Sequence, residues 1–428
     1  MTHFSAFLGA CIAALAGMPI CASTNAPPAH VDRTRSTSGA MVAQWNELAH
    51  ELAFAEDRFT TFKGQRAIAM MHLAQHDALN SICPLFDSYV FRQATPTAEP
   101  RAAVAHAARE VLVSQYPTAQ AQIDTLLAQQ LGDAGNSSHG TIGRTLGRAA
   151  AAAILEARQD DGWDDPGVYE FRAGPGMYQT TPDWHGFVVH PGLAQAKPFL
   201  LESASQWRPH GPPALDTRAY ASALNEVQQI GAEHSRVRTA DQTHAAVWWM
   251  EFSEGLMNRW ARRQVVDDHW GLWRTTRLFA LMNAALVDTY VAVWDSKYAF
   301  NHWRPYTAIR DADTDGNSAT LADHQWQSLR PAPPFPEYVS AHAAGCACTL
   351  AILDTAFGKQ DEIVLDSLTA TPGESTRTFG SFHAAARECA DSRIWLGFHF
   401  RYSTRAGTAL GYQIARYALA HGLLPTPR

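Results

Sequence analysis

Along most of the chain, apolar residues return every three or four positions, the spacing that lines one face of an α-helix. The pattern predicts helices over Met41–Ala55, Gln65–Ile82, Ala102–Tyr116, Ala119–Leu131 and Thr141–Arg158. It resumes over Thr217–Gly231 and Thr239–Arg263, then over a long stretch from His269 to Trp303 that Pro305 stops. Three more helices are expected at Ser340–Phe357, Ser375–Leu396 and Thr408–His421. No convincing period-two alternation marks a strand, so the expected fold class is all-α, a large helical bundle. A connector rich in Gly, Pro and aromatic residues, Gly162 to Pro213, interrupts the helices and is expected to wrap the surface.

The 428 residues are 46% hydrophobic, enough for one large core or two packed subdomains. A net charge of -7 offers no footprint for a nucleic acid, so a local cluster of basic side chains carries more information here. The apolar run Phe4–Ile20, followed by small residues, reads as a signal peptide over residues 1–22, although its start holds neither Lys nor Arg. Residues 23–40 read as a disordered lead-in, 41–235 as a helical scaffold with the connector, and 236–428 as the catalytic bundle. The expected location is periplasmic or secreted. Beyond the leader no apolar stretch of roughly 18 residues stands out, so no membrane insertion is expected after cleavage. Cys83, Cys346, Cys348 and Cys389 remain in the mature chain. Sequence cannot choose among their pairings, and buried thiols are the default.

Three separated segments carry candidate chemistry. The first runs from Lys297 to Arg304-Pro305. On an α-helix seven residues is nearly two turns, so both cations would project from one face, about 10 Å apart, within reach of one anion. Trp294, Tyr298, Phe300 and Trp303 leave that helix little polar face. In the second, prolines 333, 334 and 336 lead to Ser340-Ala341-His342. Ser340 suits an N-cap, which would place the Ala341 N–H at a helix N-terminus, where anions bind readily. The third is Ser392-Arg393 followed by Gly397 and His399, where the glycine offers a turn that could aim both side chains at one point.

Together these read Lys-x6-Arg-Pro, Ser-x-His and Ser-Arg-x5-His in that order, which resembles the superfamily of vanadium haloperoxidases and type-2 phosphatidic acid phosphatases. Upstream, Arg66–Ile82 and the block Arg238–Arg310 are similar to the soluble bacterial haloperoxidase-like branch. The resemblance implies that Lys297, Arg304 and Arg393 hold the equatorial oxygens of vanadate or of phosphate, which can occupy the same site. It implies that Ser340 and the Ala341 N–H donate to them, that His399 binds the central atom, and that His342 handles protons at the opposite apical oxygen. Trp294 and Phe335 correspond to aromatics that shape a halide pocket. The implied partners are hydrogen peroxide, a halide and an organic acceptor, or else a phosphate ester. Nothing marks an oligomer interface, although a bundle with large apolar faces suits a homodimer.

The resemblance leaves three activities to weigh: haloperoxidase, phosphomonoesterase through a phosphohistidine, and non-catalytic oxyanion binding. Ser403 stands four residues after His399, where phosphatases of the superfamily carry an orienting Asp, which argues against the phosphatase. Ala341 replaces the usual Gly, and Glu251 or Glu254 is the acidic partner guessed for Arg393. Asp311–Gly316 lacks the closing Glu of a calcium loop and reads as a turn. His72, His76 and Asp77 read as scaffold in preference to zinc ligands, and the glycines at 140, 143 and 147 as helix contacts.

Overall fold

The structure, a computed structural model, describes residues 37–57, 62–371 and 373–427. The signal-peptide reading and most of the lead-in therefore lie outside the described residues. The N-terminal half holds α1 (Ala40–Asp57), α2 (Lys63–Ile82), α3 (Pro100–Gln115), α4 (Gln120–Leu131) and α5 (Ser138–Ala157). After the connector come α6 (Arg218–Ile230), α7 (Ala240–Trp248), α8 (Ser253–Asp267), α9 (Leu272–Phe300) and α10 (Pro305–Arg310). The chain ends with α11 (Ala341–Phe357), a hairpin of β1 (Ile363–Asp366) and β2 (Thr376–Phe379), α12 (Phe382–Trp395) and α13 (Arg401–His421). The fold is all-α, as the periodicity predicts.

One hydrophobic cluster runs from Met41 on α1 to Leu423 beyond α13, with α9 through its middle. This 29-residue helix is long and apolar enough to cross a membrane, contrary to the sequence reading, but its most apolar window is wholly buried in the protein. Packing on every side demands a helix that is apolar around its full circumference. The connector lies over α9. Asp288 accepts hydrogen bonds from the N–H groups of Phe199, Leu200 and Leu201, and Tyr298 donates to the Val189 carbonyl at 2.6 Å.

Four element boundaries differ from the periodicity. The expected helix over 239–263 breaks between α7 and α8, at Trp249–Phe252. The start of the expected 375–396 helix is instead β2, paired antiparallel with β1, with Thr376 and Thr378 exposed and Phe379 buried; Ser381 then caps α12. Helix α13 starts at Arg401, well before Thr408, and its Gly407 and Gly411 lie where a Cβ would strike the Ser340 and Ala344 carbonyls of α11. Helix α9 stops at Phe300, with Asn301 in the left-handed region at φ 49°. Arg304 is thus not on its helix, since Pro305 pushes the preceding residue to extended backbone.

The discounted motifs are structural. His72 bonds Asn46 and Gln75, His76 bonds Asn80 and the Asp87 carbonyl, and Asp77 accepts from three successive N–H groups at 89–91. In the turn after α10, Asp315 accepts from Thr320 and the Asn317 N–H. Gly143 and Gly147 let α5 lie against the α3 backbone at Glu99 and Ala103.

Candidate active site

The bundle brings the three segments to one point. Ser340 caps α11, its Oγ accepting from the Ala343 N–H at 3.4 Å, and its own N–H reaches the Ser403 carbonyl on α13 at 3.4 Å. Gly397, at φ +80°, turns the chain between α12 and α13, so that Arg393 and His399 face inward together. Lys297 arrives from the last turn of α9 and Arg304 from the cap of α10. The charges of Arg304, Lys297 and Arg393 all bear on the His399 ring, and Arg393 bears on His342.

A segment read from sequence only as a proline-rich approach holds this cluster. Lys297 Nζ donates to the Pro336 and Glu337 carbonyls at 2.9 and 3.0 Å. Arg304 Nε donates to the Phe335 carbonyl at 2.8 Å, and its Nη1 to the Phe398 carbonyl at 3.0 Å. Glu337, fully buried, places Oε1 2.8 Å from His399 Nδ1 and 3.0 Å from the Phe400 N–H. His399 Nε2 faces Arg304 Nη1 at 3.2 Å. Because a guanidinium only donates, Nε2 is the acceptor and Nδ1 carries the proton toward Glu337.

Burial sets the protonation of the cluster. It lowers His399 well below the ordinary histidine value, and the Arg304, Lys297 and Arg393 charges lower it further, so the imidazole is neutral. Burial, then the Arg393 charge, does the same to His342. Lys297 falls well below its usual range by burial and by the neighbouring Arg304, while Arg304 and Arg393 fall to about 10 and about 9 by burial. Burial raises Glu337 to about 7 against the pull of Arg304 and Lys297.

The charges do not balance. Lys297, Arg304 and Arg393 are each less than a twentieth exposed, and among the described residues Glu337, whose Oε2 is itself buried without a partner, is the one carboxylate bonded within their cluster. Arg304 Nη2 and His342 Nε2 are buried with no hydrogen-bond partner among the described residues. Such an arrangement is costly without an anion and suits an oxyanion with several acceptor oxygens. The residues therefore fit vanadate or phosphate: the three cations with the Ser340 and Ala341 donors for the oxygens, and His399 Nε2 for the central atom.

The aromatic pair joins them. Trp294 and Phe335 lie 5.0 Å apart between ring centres, with Lys297 Nζ 4.8 Å from the Phe335 ring and 6.0 Å from the Trp294 ring. Phe335 and His342 are the partly exposed members of the set, and the other members are buried.

Residues 277–423 match the family model described as the VCPO second helical-bundle domain, a range that holds all nine predicted site residues. The matched domain, the curated relative and the shared fold all support the vanadium haloperoxidase superfamily. It is 24% identical to the vanadium chloroperoxidase of Curvularia inaequalis over 90% of this chain and 82% of that one. A bacterial vanadium-dependent iodoperoxidase shares the fold with a TM-score of 0.78, at 21% identity, over 92% of this chain and 99% of that one. The apo form of a bacterial vanadium-dependent chloroperoxidase shares it at 0.68 and 20% identity, over 84% and 92%.

Several contacts of this site escape sequence reasoning. Neither Glu251 nor Glu254 pairs with Arg393: Glu251 holds Arg259, and Glu254 bonds Gln65 and Tyr290. Arg393 instead donates to Ser392 Oγ at 3.0 Å and to the Trp249 carbonyl at 2.6 Å. The break after α7 is what leaves that carbonyl free. Glu337 was legible only as an acid among prolines, and no spacing rule joins it to His399. A Cys346–Cys389 disulfide replaces the expected buried thiols there, while Cys83 and Cys348 stay free. It ties α11 to α12 one turn from His342.

Proposed function

We propose that the chain is a vanadate-dependent haloperoxidase, exported as its leader suggests, that oxidises a halide with hydrogen peroxide. The observation that carries this reading is the buried surplus of positive charge around a neutral imidazole whose accepting nitrogen faces the cluster. Vanadate held there supplies the electrophilic centre that activates peroxide toward halide. Lys297, Arg304 and Arg393 bind and neutralise its oxygens, assisted by the Ser340 hydroxyl and the Ala341 N–H. Glu337 holds the proton on Nδ1 of His399, keeping the Nε2 lone pair available and more basic. His342, at the open side, exchanges protons with peroxide and water through Nε2. Trp294 and Phe335 exclude water beside Lys297 and offer a polarisable wall for halide.

A phosphomonoesterase on the same residues is the second reading, and one observation favours it. The orienting carboxylate thought lost at Ser403 is supplied by Glu337, with Ser403 Oγ a further 3.5 Å contact to Nδ1. His399 is therefore held as a nucleophile would need to be.

One set of assays separates them. Protein supplied with vanadate, peroxide and bromide or chloride is expected to halogenate an activated carbon acid. Phosphate release from a chromogenic ester without halogenation supports the second reading. Silence in both, with measurable phosphate binding, leaves an oxyanion-binding protein.

A further inference from the structure

The connector, with Lys63 of α2, lines an open surface cavity of about 670 Å³, the size of a small-molecule site, whose lining is largely apolar and aromatic. Val168, Phe171 and Phe187 line it while 87%, 51% and 58% exposed, a concentration of open apolar surface that folding alone does not explain. Tyr169 adds a ring, 4.8 Å from Phe171 and edge-on to it. His190, also in the lining, has Nδ1 buried with no hydrogen-bond partner among the described residues. Its backbone sits in the left-handed region at φ 43°, strain that a loop retains where the surrounding structure demands it. Lys63 at the rim is already paired with Glu56 at 2.7 Å, so the cavity shows no free cation to select an acid.

The cavity shares a wall with the candidate active site. Val189 lines the cavity, and its carbonyl accepts from Trp294 Nε1 at 3.4 Å and from Tyr298 Oη at 2.6 Å. The Val189 N–H donates to the Pro334 carbonyl at 2.9 Å, next to Phe335. Trp294 and Phe335 are the two rings beside Lys297.

We infer that this cavity holds the organic acceptor, a neutral electron-rich aromatic such as a phenol or an indole, beside the point where halide is oxidised. This rests on the haloperoxidase reading. The rings of Tyr169, Phe171 and Phe187 stack on the acceptor, and His190 Nδ1 accepts its O–H or N–H. Hypohalous acid leaving the oxyanion site meets the held ring first. The ring π electrons attack halogen, the O–X bond breaks, the new C–X bond replaces C–H, and the ring proton leaves with the hydroxide as water. Holding the ring selects which carbon reacts.

The test begins with vanadate-free protein, titrated calorimetrically with 4-methylphenol and with indole. Saturable binding is expected, weakened about tenfold in Phe187→Ala and in Val168→Asp, with sulfate binding at the oxyanion site unchanged. In vanadate-loaded protein the same variants are expected to raise KM for the aromatic about tenfold and leave KM for peroxide and halide unchanged. Their ring-isomer ratio is expected to drift toward that given by free hypohalous acid. Absence of saturable aromatic binding, or binding indifferent to both substitutions, overturns the inference. So does a wild-type isomer ratio equal to that of free hypohalous acid. Aromatic binding without halogenation would instead sink the haloperoxidase reading while supporting the cavity as a binding site.

Discussion

Glu337 and His399, 62 residues apart in the chain, form a buried carboxylate–imidazole pair with Oε1 2.8 Å from Nδ1. The pair fixes the tautomer that leaves Nε2 unprotonated. It also brings a negative charge into a site otherwise built to attract one, and the two consequences separate experimentally.

Glu337→Gln keeps an acceptor for Nδ1 but removes the charge. Vanadate, which needs a basic Nε2, is expected to bind about 10- to 100-fold more weakly, the usual effect of losing a partner behind a ligating histidine. Sulfate, which needs only charge complementarity, is expected to bind no more weakly. Burial raises Glu337 to about 7, so acidification through that value neutralises it. Sulfate affinity in the wild type is then expected to strengthen as the pH falls through about 7, and to be flat there in the variant. Titration calorimetry at pH 6 and pH 8 reads both effects.

Lys297→Met removes one of three crowded cations. Without ligand the variant is expected to match the wild type in stability to within about 1 kcal/mol, because losing a desolvated like-charged group is offset by leaving the Pro336 and Glu337 carbonyls without their donor. An oxyanion at a hundred times its Kd stabilises the wild type by about 2.7 kcal/mol, about 3 °C in Tm for a chain this long. That shift is expected to vanish in Lys297→Met. Thermal scans with and without vanadate check both halves.

The Cys346–Cys389 bridge joins the helix that starts at Ser340 and His342 to the helix bearing Arg393, closing a loop of 43 residues. In the chain-entropy picture such a loop contributes about 4 kcal/mol. Replacing both cysteines with serine is expected to lower Tm by about 5 °C and to weaken vanadate binding several-fold. A variant with unchanged vanadate affinity would show that the bridge is remote from the site's alignment.

Acid is expected to destabilise the protein. Burial lowers His50, His72 and His302 to about 3, His76 to about 4, and His342 and His399 well below 6.5. The unfolded chain therefore binds protons that the native state refuses. Stability present above 6.5 is lost as the pH falls toward these values, at about 1.4 kcal/mol per pH unit for each net proton. Asp77 and Asp288, raised to about 6, and Glu337, raised to about 7, act in the opposite direction but are fewer. Calorimetric Tm should drop between pH 6.5 and 4.5. A Tm that rises over that window contradicts the burial of these imidazoles.

The amino-acid order alone determines the all-helical class, the presence of a long apolar central helix, the cap at Ser340 and the turn at Gly397. Each follows from local rules: apolar periodicity, a hydroxyl that satisfies a free N–H, a glycine that admits positive φ. Seven of the nine predicted site residues lie in three motifs that occur in one order, and the motifs are written in the chain itself. Only the tertiary structure decided where Arg304 points, since Asn301 and Pro305 take it off the helix that its spacing to Lys297 suggested. Only packing could bring Glu337 to His399, the Trp249 carbonyl to Arg393, Cys346 to Cys389 and the connector cavity to the wall behind Trp294 and Phe335. These are contacts between segments tens to more than a hundred residues apart, and their partners are selected by burial and unsatisfied hydrogen-bonding groups, which no local pattern records.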